Sequence, residues 1–167
     1  MRAEEVQIRR AVAEDCAAIA DVLYQSFVEF KRLYTEGGFA ATAPAAAQVE
    51  TRMREGPVWV ALSDGVIMGT VSIVTKGNSA YIRGMAVLPA MRGSGAGSRL
   101  LQQVEQWVAD ENIKRLFLST TPFLDSAIRL YEKSGFRRTD EGLHDLFGTP
   151  LFTMEKVIGT CLTRPTS

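Results

Sequence analysis

The chain has little histidine, little cysteine and no excess charge of either sign. One histidine and two cysteines occur in 167 residues, and Cys16 and Cys161 form no metal-ligand or redox spacing. A disulfide scaffold and a zinc module are therefore excluded, and no metal is expected. No apolar run nears the roughly eighteen residues that a membrane helix requires, and the N-terminus lacks the basic-then-apolar pattern of a secretory leader. A soluble protein of the reducing cytoplasm, without a membrane partner, is the expectation. Lys plus Arg and Asp plus Glu number 19 each, for a formal net charge of zero. The totals thus provide no basic face for nucleic acid.

What is present is an ordinary globular composition, 46% hydrophobic and 23% charged. A chain of 167 residues is long enough to bury about two thirds of its unfolded surface around one core. A single domain over residues 1–158 is expected, with 159–167 as a frayed tail. No internal repeat or long linker divides it.

Along the chain, Val6-Gln7-Ile8-Arg9 alternates and predicts a short first strand. Glu14 and Asp15 open a helix whose apolar positions include Cys16, Ile19, Ala20, Leu23 and Phe27. Phe27, Phe30 and Tyr34, interleaved with Glu29, Lys31 and Arg32, continue it towards Gly37-Gly38. Gly37 to Ala47, with Pro44, predicts a loop leading into a short helix near Ala45 to Met53. Two apolar runs, Val58 to Leu62 and Val66 to Val74, flank Ser63-Asp64-Gly65, a strong hairpin signal. Lys76-Gly77-Asn78 makes another turn.

The organising stretch follows. Residues 80–88 are almost all apolar and end at Pro89, as a buried strand does. After a glycine-rich turn, Leu100, Leu101, Val104, Trp107 and Val108 fall on one face of a helix starting near Gly97. Lys114 to Ser119 is a brief strand, and the intervening helix implies that it pairs parallel to the earlier one. Thr120-Thr121-Pro122 supplies caps and a first turn for a helix presenting Ala127, Ile128 and Tyr131, which Ser134-Gly135 ends. Phe136 to Arg138 predicts a strand, the stretch through His144 and Asp145 a loop, and Leu151 to Lys156 a last strand.

The turn between strand and helix is where chemistry can sit. The first N–H groups of a helix have no partner inside it, and the macrodipole adds roughly half a positive charge, so this terminus attracts an anion such as phosphate. Gly93, Gly95 and Gly97 allow positive φ and close approach of a ligand to the amides. Arg92 at the mouth is a bidentate phosphate partner. A P-loop would require a Lys after one of these glycines, and none follows. A dinucleotide fingerprint would require Gly or Ala at Ser98 and an acidic residue near Leu116-Phe117-Leu118.

The remaining pattern, Arg92-x-x-Gly95-x-Gly97 after Val87-Leu88-Pro89, resembles the pyrophosphate loop of the GNAT family of N-acetyltransferases, which bind acetyl-CoA. A second motif supports it independently: Ala127-Ile128-Arg129-Leu130-Tyr131-Glu132-Lys133-Ser134-Gly135-Phe136 is similar to the family's Ala-x-x-Leu-Tyr-x-x-x-Gly-Phe signature. Weaker echoes lie in Ile8-Arg9-Arg10-Ala11, Trp59-Val60-Ala61, Gly69-Thr70-Val71 and Thr153-Met154-Glu155-Lys156, so the likeness spans residues 6–157. It implies an α/β (α+β) fold: a mixed, mostly antiparallel sheet of six or seven strands with a central parallel pair, flanked by about four helices. A splayed gap between the fourth and fifth strands would admit the cofactor.

The resemblance also implies a reaction, direct transfer of the acetyl group of acetyl-CoA to a primary amine without a covalent enzyme intermediate. The acceptor is an unidentified small molecule or protein amine, and a homodimer is compatible with the pattern. Met85, Ala86 and Val87 would pair with the pantetheine arm, the Val87 N–H meeting the developing oxyanion. Arg92, Gly93, Ser94, Gly95, Ala96, Gly97, Ser98 and Ser126 would complete the cofactor site. Tyr131 stands where the family has its general acid, to protonate or hydrogen-bond the departing thiolate. Phe27, Glu29, Phe30 and Tyr34, with the loop to Ala47, are the expected acceptor-binding residues. Two departures stand out. Many members carry a glutamate on the central strand where this chain has Tyr81 and Arg83, leaving Glu29, Glu141 or His144 as bases through a water. Leu124-Asp125-Ser126 replaces a frequent asparagine. The missing acid supports an alternative, a non-catalytic acyl-CoA or CoA-binding sensor or partner protein of the same fold.

Overall fold

The computed structural model describes residues 5–140 and 144–158; Glu141, Cys161 and the expected tail from 159 lie outside them. Among the described residues eight strands form the sheet: β1 (Gln7–Arg10), β2 (Val58–Ser63), β3 (Val66–Lys76), β4 (Ser79–Val87), β5 (Arg115–Thr120), β6 (Arg137–Arg138), β7 (His144–Leu146) and β8 (Thr149–Val157). The path runs β1-β2-β3-β4-β5-β8-β6, with β7 hairpinned onto β8. Every pairing is antiparallel except β4 with β5. The architecture is the expected one, with one short strand, β7, beyond those read from the sequence.

Five α-helices among the described residues cover the sheet: α1 (Cys16–Phe27), α2 (Glu36–Thr42), α3 (Ala46–Glu55), α4 (Ala96–Asp110) and α5 (Asp125–Lys133). Alternation along β2 explains the layering. Val58, Val60 and Leu62 join Ile19, Val22 and Leu23 of α1 and Val49 of α3 in one core. Trp59 and Ala61 point the other way, onto a core with Leu100, Leu101, Val104 and Val108 of α4 and Tyr131 of α5. Both faces are buried, which is why β2 reads as one continuous apolar run.

Several boundaries differ from the sequence reading. The first helix stops at Phe27 and continues as a 3₁₀ segment over Val28–Leu33, its rings docking on Phe123, 6.1 Å from Phe30 and 5.0 Å from Tyr34. The expected loop from Gly37 contains α2, capped by Thr35 Oγ1, which accepts from Gly38 N at 3.0 Å. Its glycines are packing devices, since a Cβ on Gly37 would come within 2.9 Å of Phe147 Cβ and one on Gly38 would strike Thr149 Oγ1. Pro122 precedes α5 in a turn and does not occupy its first turn. The expected loop at His144 and Asp145 is strand β7, closed by Phe147-Gly148 with φ of 50° and 93°, a turn in which both residues take positive φ.

Two features of β4 shape the site. Pairing with β5 covers only Ser79, Ala80 and Tyr81, opposite Arg115, Leu116 and Phe117. Then Thr70 pairs with Ala86 and Ser72 with Arg83, so β4 carries one extra residue. This bulge contains Gly84 at φ +68° and bends the strand. Beyond Tyr81 the two parallel strands part, as the resemblance implied.

Near the N-terminus Asp15 does not simply favour a helix dipole. Its carboxylate accepts from Val12 N at 2.8 Å and from the Arg9 guanidinium at 2.8 and 3.1 Å, tying β1 to the start of α1. The Arg9 hydrogen bond holds its pKa below the ordinary carboxylate value. A depressed folded-state pKa contributes stability above the unfolded value, near 4, that is lost as pH falls through the folded one. Asp15→Asn is therefore expected to cost about 1 kcal/mol at pH 7 and progressively less below pH 4, as urea unfolding at both pH values will measure.

Candidate active site

The turn after β4 is built as a cradle. Gly95 takes φ +89° and ψ 0° and forms the N-cap of α4, a left-handed conformation that costs other residues about 1–2 kcal/mol. Gly93 is also left-handed, at φ +87°. Gly97 differs: it lies inside α4, where a Cβ would come within 2.8 Å of Leu130 Cδ2, so its role is close packing of α4 on α5. Arg99 N is the first amide here to bond back to Gly95 O, which leaves Gly97 N and Ser98 N without acceptors among the described residues. Ser94 Oγ accepts from Ala96 N at 3.3 Å and does not line the cavity these amides face. Free amides at a helix N-terminus beside an arginine suit a diphosphate.

That cavity, about 480 Å³, extends from the glycine turn along β4 to α5. Its lining includes Met85, Ala86, Val87, Arg92, Ser126 and Tyr131, together with Gly93, Gly95, Ala96, Gly97 and Ser98. Thus the sequence-predicted cofactor residues converge here, apart from Ser94. Leu88 N donates to Met68 O and Gly69 stands opposite Val87, so antiparallel alternation turns the N–H and C=O of Val87 away from β3. Ser26 Oγ donates to that C=O at 3.2 Å. The Val87 N–H faces the gap that β5 has left.

A second cavity of about 230 Å³ lies across the sheet end, lined by Phe27, Tyr34, Arg52, Arg83, Ser119 and Thr121 among others. Met85, Leu124, Ala127 and Tyr131 line both cavities, so the Tyr131 ring stands at their junction. It is buried and 5.9 Å from Phe136, and its hydroxyl has no hydrogen-bond partner among the described residues. Burial, helped by the neighbouring Tyr81 and Tyr34, raises the Tyr131 pKa far above its ordinary value. The phenol therefore stays protonated through neutral pH, a proton donor. Burial also raises Tyr34, partly offset by the Thr42 and Thr121 hydroxyls.

The acceptor and base candidates divide. Phe27 and Tyr34 reach the second cavity and Phe30 the first. Glu29 pairs with Arg92 at 3.3 Å, beside the glycine turn. Asp125 is exposed at the start of α5 and lines neither cavity. His144, on β7, comes within 3.1 Å of Ser119 Oγ through its Nε2, and Ser119 lines the second cavity. This contact was not legible in sequence, because residues 25 apart meet only through the pairing of β5 and β7 with β8. Arg52 was missed too, being read only as part of the short helix near Ala45 to Met53. Cys16 is buried with its thiol 3.4 Å from Met53 Sδ, and burial raises its pKa, so it belongs to packing.

A splayed sheet with a glycine cradle at one end and a second, smaller cavity at the other is the arrangement that the GNAT resemblance implied. A family model described as the acetyltransferase (GNAT) family matches residues 20–136, and the chain belongs to that family. Among relatives, the chain is 30% identical over 142 residues to the uncharacterised N-acetyltransferase YjgM of Escherichia coli, covering 81% of this chain and 84% of that protein. It is 26% identical to the uncharacterised N-acetyltransferase YhfO of Bacillus subtilis, covering 87% and 99%. In structure it is similar to the PaiA N-acetyltransferase of Thermoplasma acidophilum in complex with coenzyme A, with TM-score 0.78, 18% identity, and 92% and 99% of the two chains covered. The protein is accordingly an acyltransferase of the N-acetyltransferase type.

Gly95→Ala, which adds a Cβ into open space at positive φ, tests the backbone requirement alone. It is expected to lower the Tm by roughly 2–4 °C, equivalent to about 1 kcal/mol, in differential scanning calorimetry.

Proposed function

We propose that this protein transfers the acetyl group of acetyl-CoA directly to a primary amine, with acetyl-CoA in the larger cavity and the amine in the smaller. One observation carries the reading: Tyr131, protonated and without a protein partner for its hydroxyl, lines both cavities where they meet. The donor contributes an acyl group activated as a thioester. Amides of Gly97 and Ser98 with Arg92 hold its diphosphate end, while Met85 and Val87 line its path along β4.

The chain's residues then have three tasks. An ammonium cannot attack, so its proton must leave first; Ser119 Oγ passes it to His144 Nε2, 3.1 Å away, and exposed His144 releases it to solvent. As the new C–N bond forms, the Val87 N–H holds the negative charge that develops on the carbonyl oxygen. As the C–S bond breaks, Tyr131 donates its proton to the sulfur, the nitrogen gives up its second proton to solvent to leave a neutral amide, and Tyr131 is reprotonated from solvent. His144 thus supplies the base that the central strand lacks.

The test combines calorimetry with acetyl-CoA and release of free thiol with a panel of amines. Wild type is expected to bind and turn over, whereas Gly95→Glu places a carboxylate in the phosphate cradle and should abolish binding. Binding without thiol release from any amine would support a CoA sensor instead. Tyr131→Phe and His144→Gln should each lower kcat on the order of 10²-fold with donor affinity intact; wild-type rates would return both side chains to structural roles.

A further inference from the structure

The smaller cavity has a charge pattern that the transfer reaction does not use. Among the described residues that line it none is acidic, and two are arginines, Arg52 of α3 and Arg83 of β4. Arg52 is half-buried. Its Nη2 donates to Ala41 O at 3.0 Å, and no carboxylate lies within ion-pair distance of it among the described residues. Burial, reinforced by Arg83, depresses the affinity of Arg52 for its proton, as expected of a cation short of a counter-ion. Gly84 helps to seat it: a Cβ there would come within 2.9 Å of Arg52 Nη1, so the bulge that opens the sheet also makes room for the guanidinium.

Arg83 is only partly satisfied. Its Nη2 meets Glu55 at 2.7 Å, but its Nε is buried without a hydrogen-bond partner. The Thr121 hydroxyl, also lining the cavity, is buried beside the Tyr34 hydroxyl. Buried donors left unpaired are costly unless a ligand completes them. A guanidinium fork matches a carboxylate, which can accept two parallel hydrogen bonds. At about 230 Å³ the cavity falls below the size that holds drug-sized ligands, which favours a compact acceptor.

We propose that the acceptor is a small amine carrying a carboxylate, an amino acid in the broad sense, and that Arg52, assisted by Arg83 Nε, binds that carboxylate. The inference rests on the transfer reading for its turnover arm, but the carboxylate site stands on its own residues and is tested without the donor. Thermal shift is measured with the common α-amino acids and β-alanine, each beside the amine lacking the carboxylate, such as leucine beside isoamylamine and alanine beside ethylamine. Aminomethylphosphonate beside glycine separates carboxylate from phosphonate recognition.

At least one amino acid is expected to raise the Tm of the wild type while its decarboxylated partner does not, and Arg52→Gln should lose that shift. Arg83→Gln, which keeps Arg52, should reduce it. Thiol release with acetyl-CoA should show the same preference, with kcat/KM for the amino acid falling by roughly 10²-fold or more in Arg52→Gln. Equal stabilisation by neutral amines, stabilisation that survives Arg52→Gln, stronger stabilisation by the phosphonate, or no stabilisation by any amino acid would each overturn the carboxylate site. Carboxylate-dependent stabilisation without thiol release would leave that site in place and refute the transfer reading instead.

Discussion

Strands β4 and β5 run side by side for three residue pairs and then separate, and the working parts of the molecule depend on that parting. A strand inside a sheet spends both rows of its N–H and C=O groups on neighbours. Past Tyr81, β4 spends one row on β3 and keeps the other for whatever enters the gap. Among the described residues one of these groups has a protein partner, the Val87 carbonyl held by Ser26 of α1. The gap stays open because the bulge at Gly84 bends β4, and because separate cores under α1 and α4 hold the sheet from both faces.

Charge follows the same division. At the cradle end Arg92 is paired with Glu29 at 3.3 Å, both side chains nearly half exposed, at 40% and 47%. An exposed pair of this kind is worth about 0–1 kcal/mol, so it keeps the guanidinium in place without holding it against a competing phosphate. At the other end Arg52 has no carboxylate within ion-pair distance among the described residues, and Arg83 is incompletely bonded. Between the two lies Tyr131, kept neutral by burial. The site thus places cations at both extremities and an uncharged proton donor in the middle, an arrangement suited to two anionic ligands that must meet at their reactive ends.

The fold was legible wherever local pattern and tertiary demand coincide. The alternation around Asp64-Gly65, the unbroken apolar run of β4 and the stripe on α4 each follow from one rule acting over a few residues. Two motifs thirty-odd positions apart located most of the larger cavity. Legibility failed where a residue's neighbours lie far along the chain. Gly37 and Gly38 read as helix breakers, yet α2 requires their bare Cα atoms beneath Phe147 and Thr149. Phe147 adopts positive φ, which nothing about a phenylalanine announces.

The sequence by itself determined the strand-turn-helix unit, the left-handed glycines of the cradle and the place of Tyr131 on an apolar helical face, since these depend on spacing and on the absence of a Cβ. Only the tertiary structure decided that Gly97 serves helix packing, that Glu29 attends Arg92, and that His144 reaches Ser119. It also brought Arg52 beside Arg83 in a cavity whose described lining contains no acid. Those outcomes depend on strand register and on which helix faces which sheet end, and such long-range geometry is set by the packing of the whole domain.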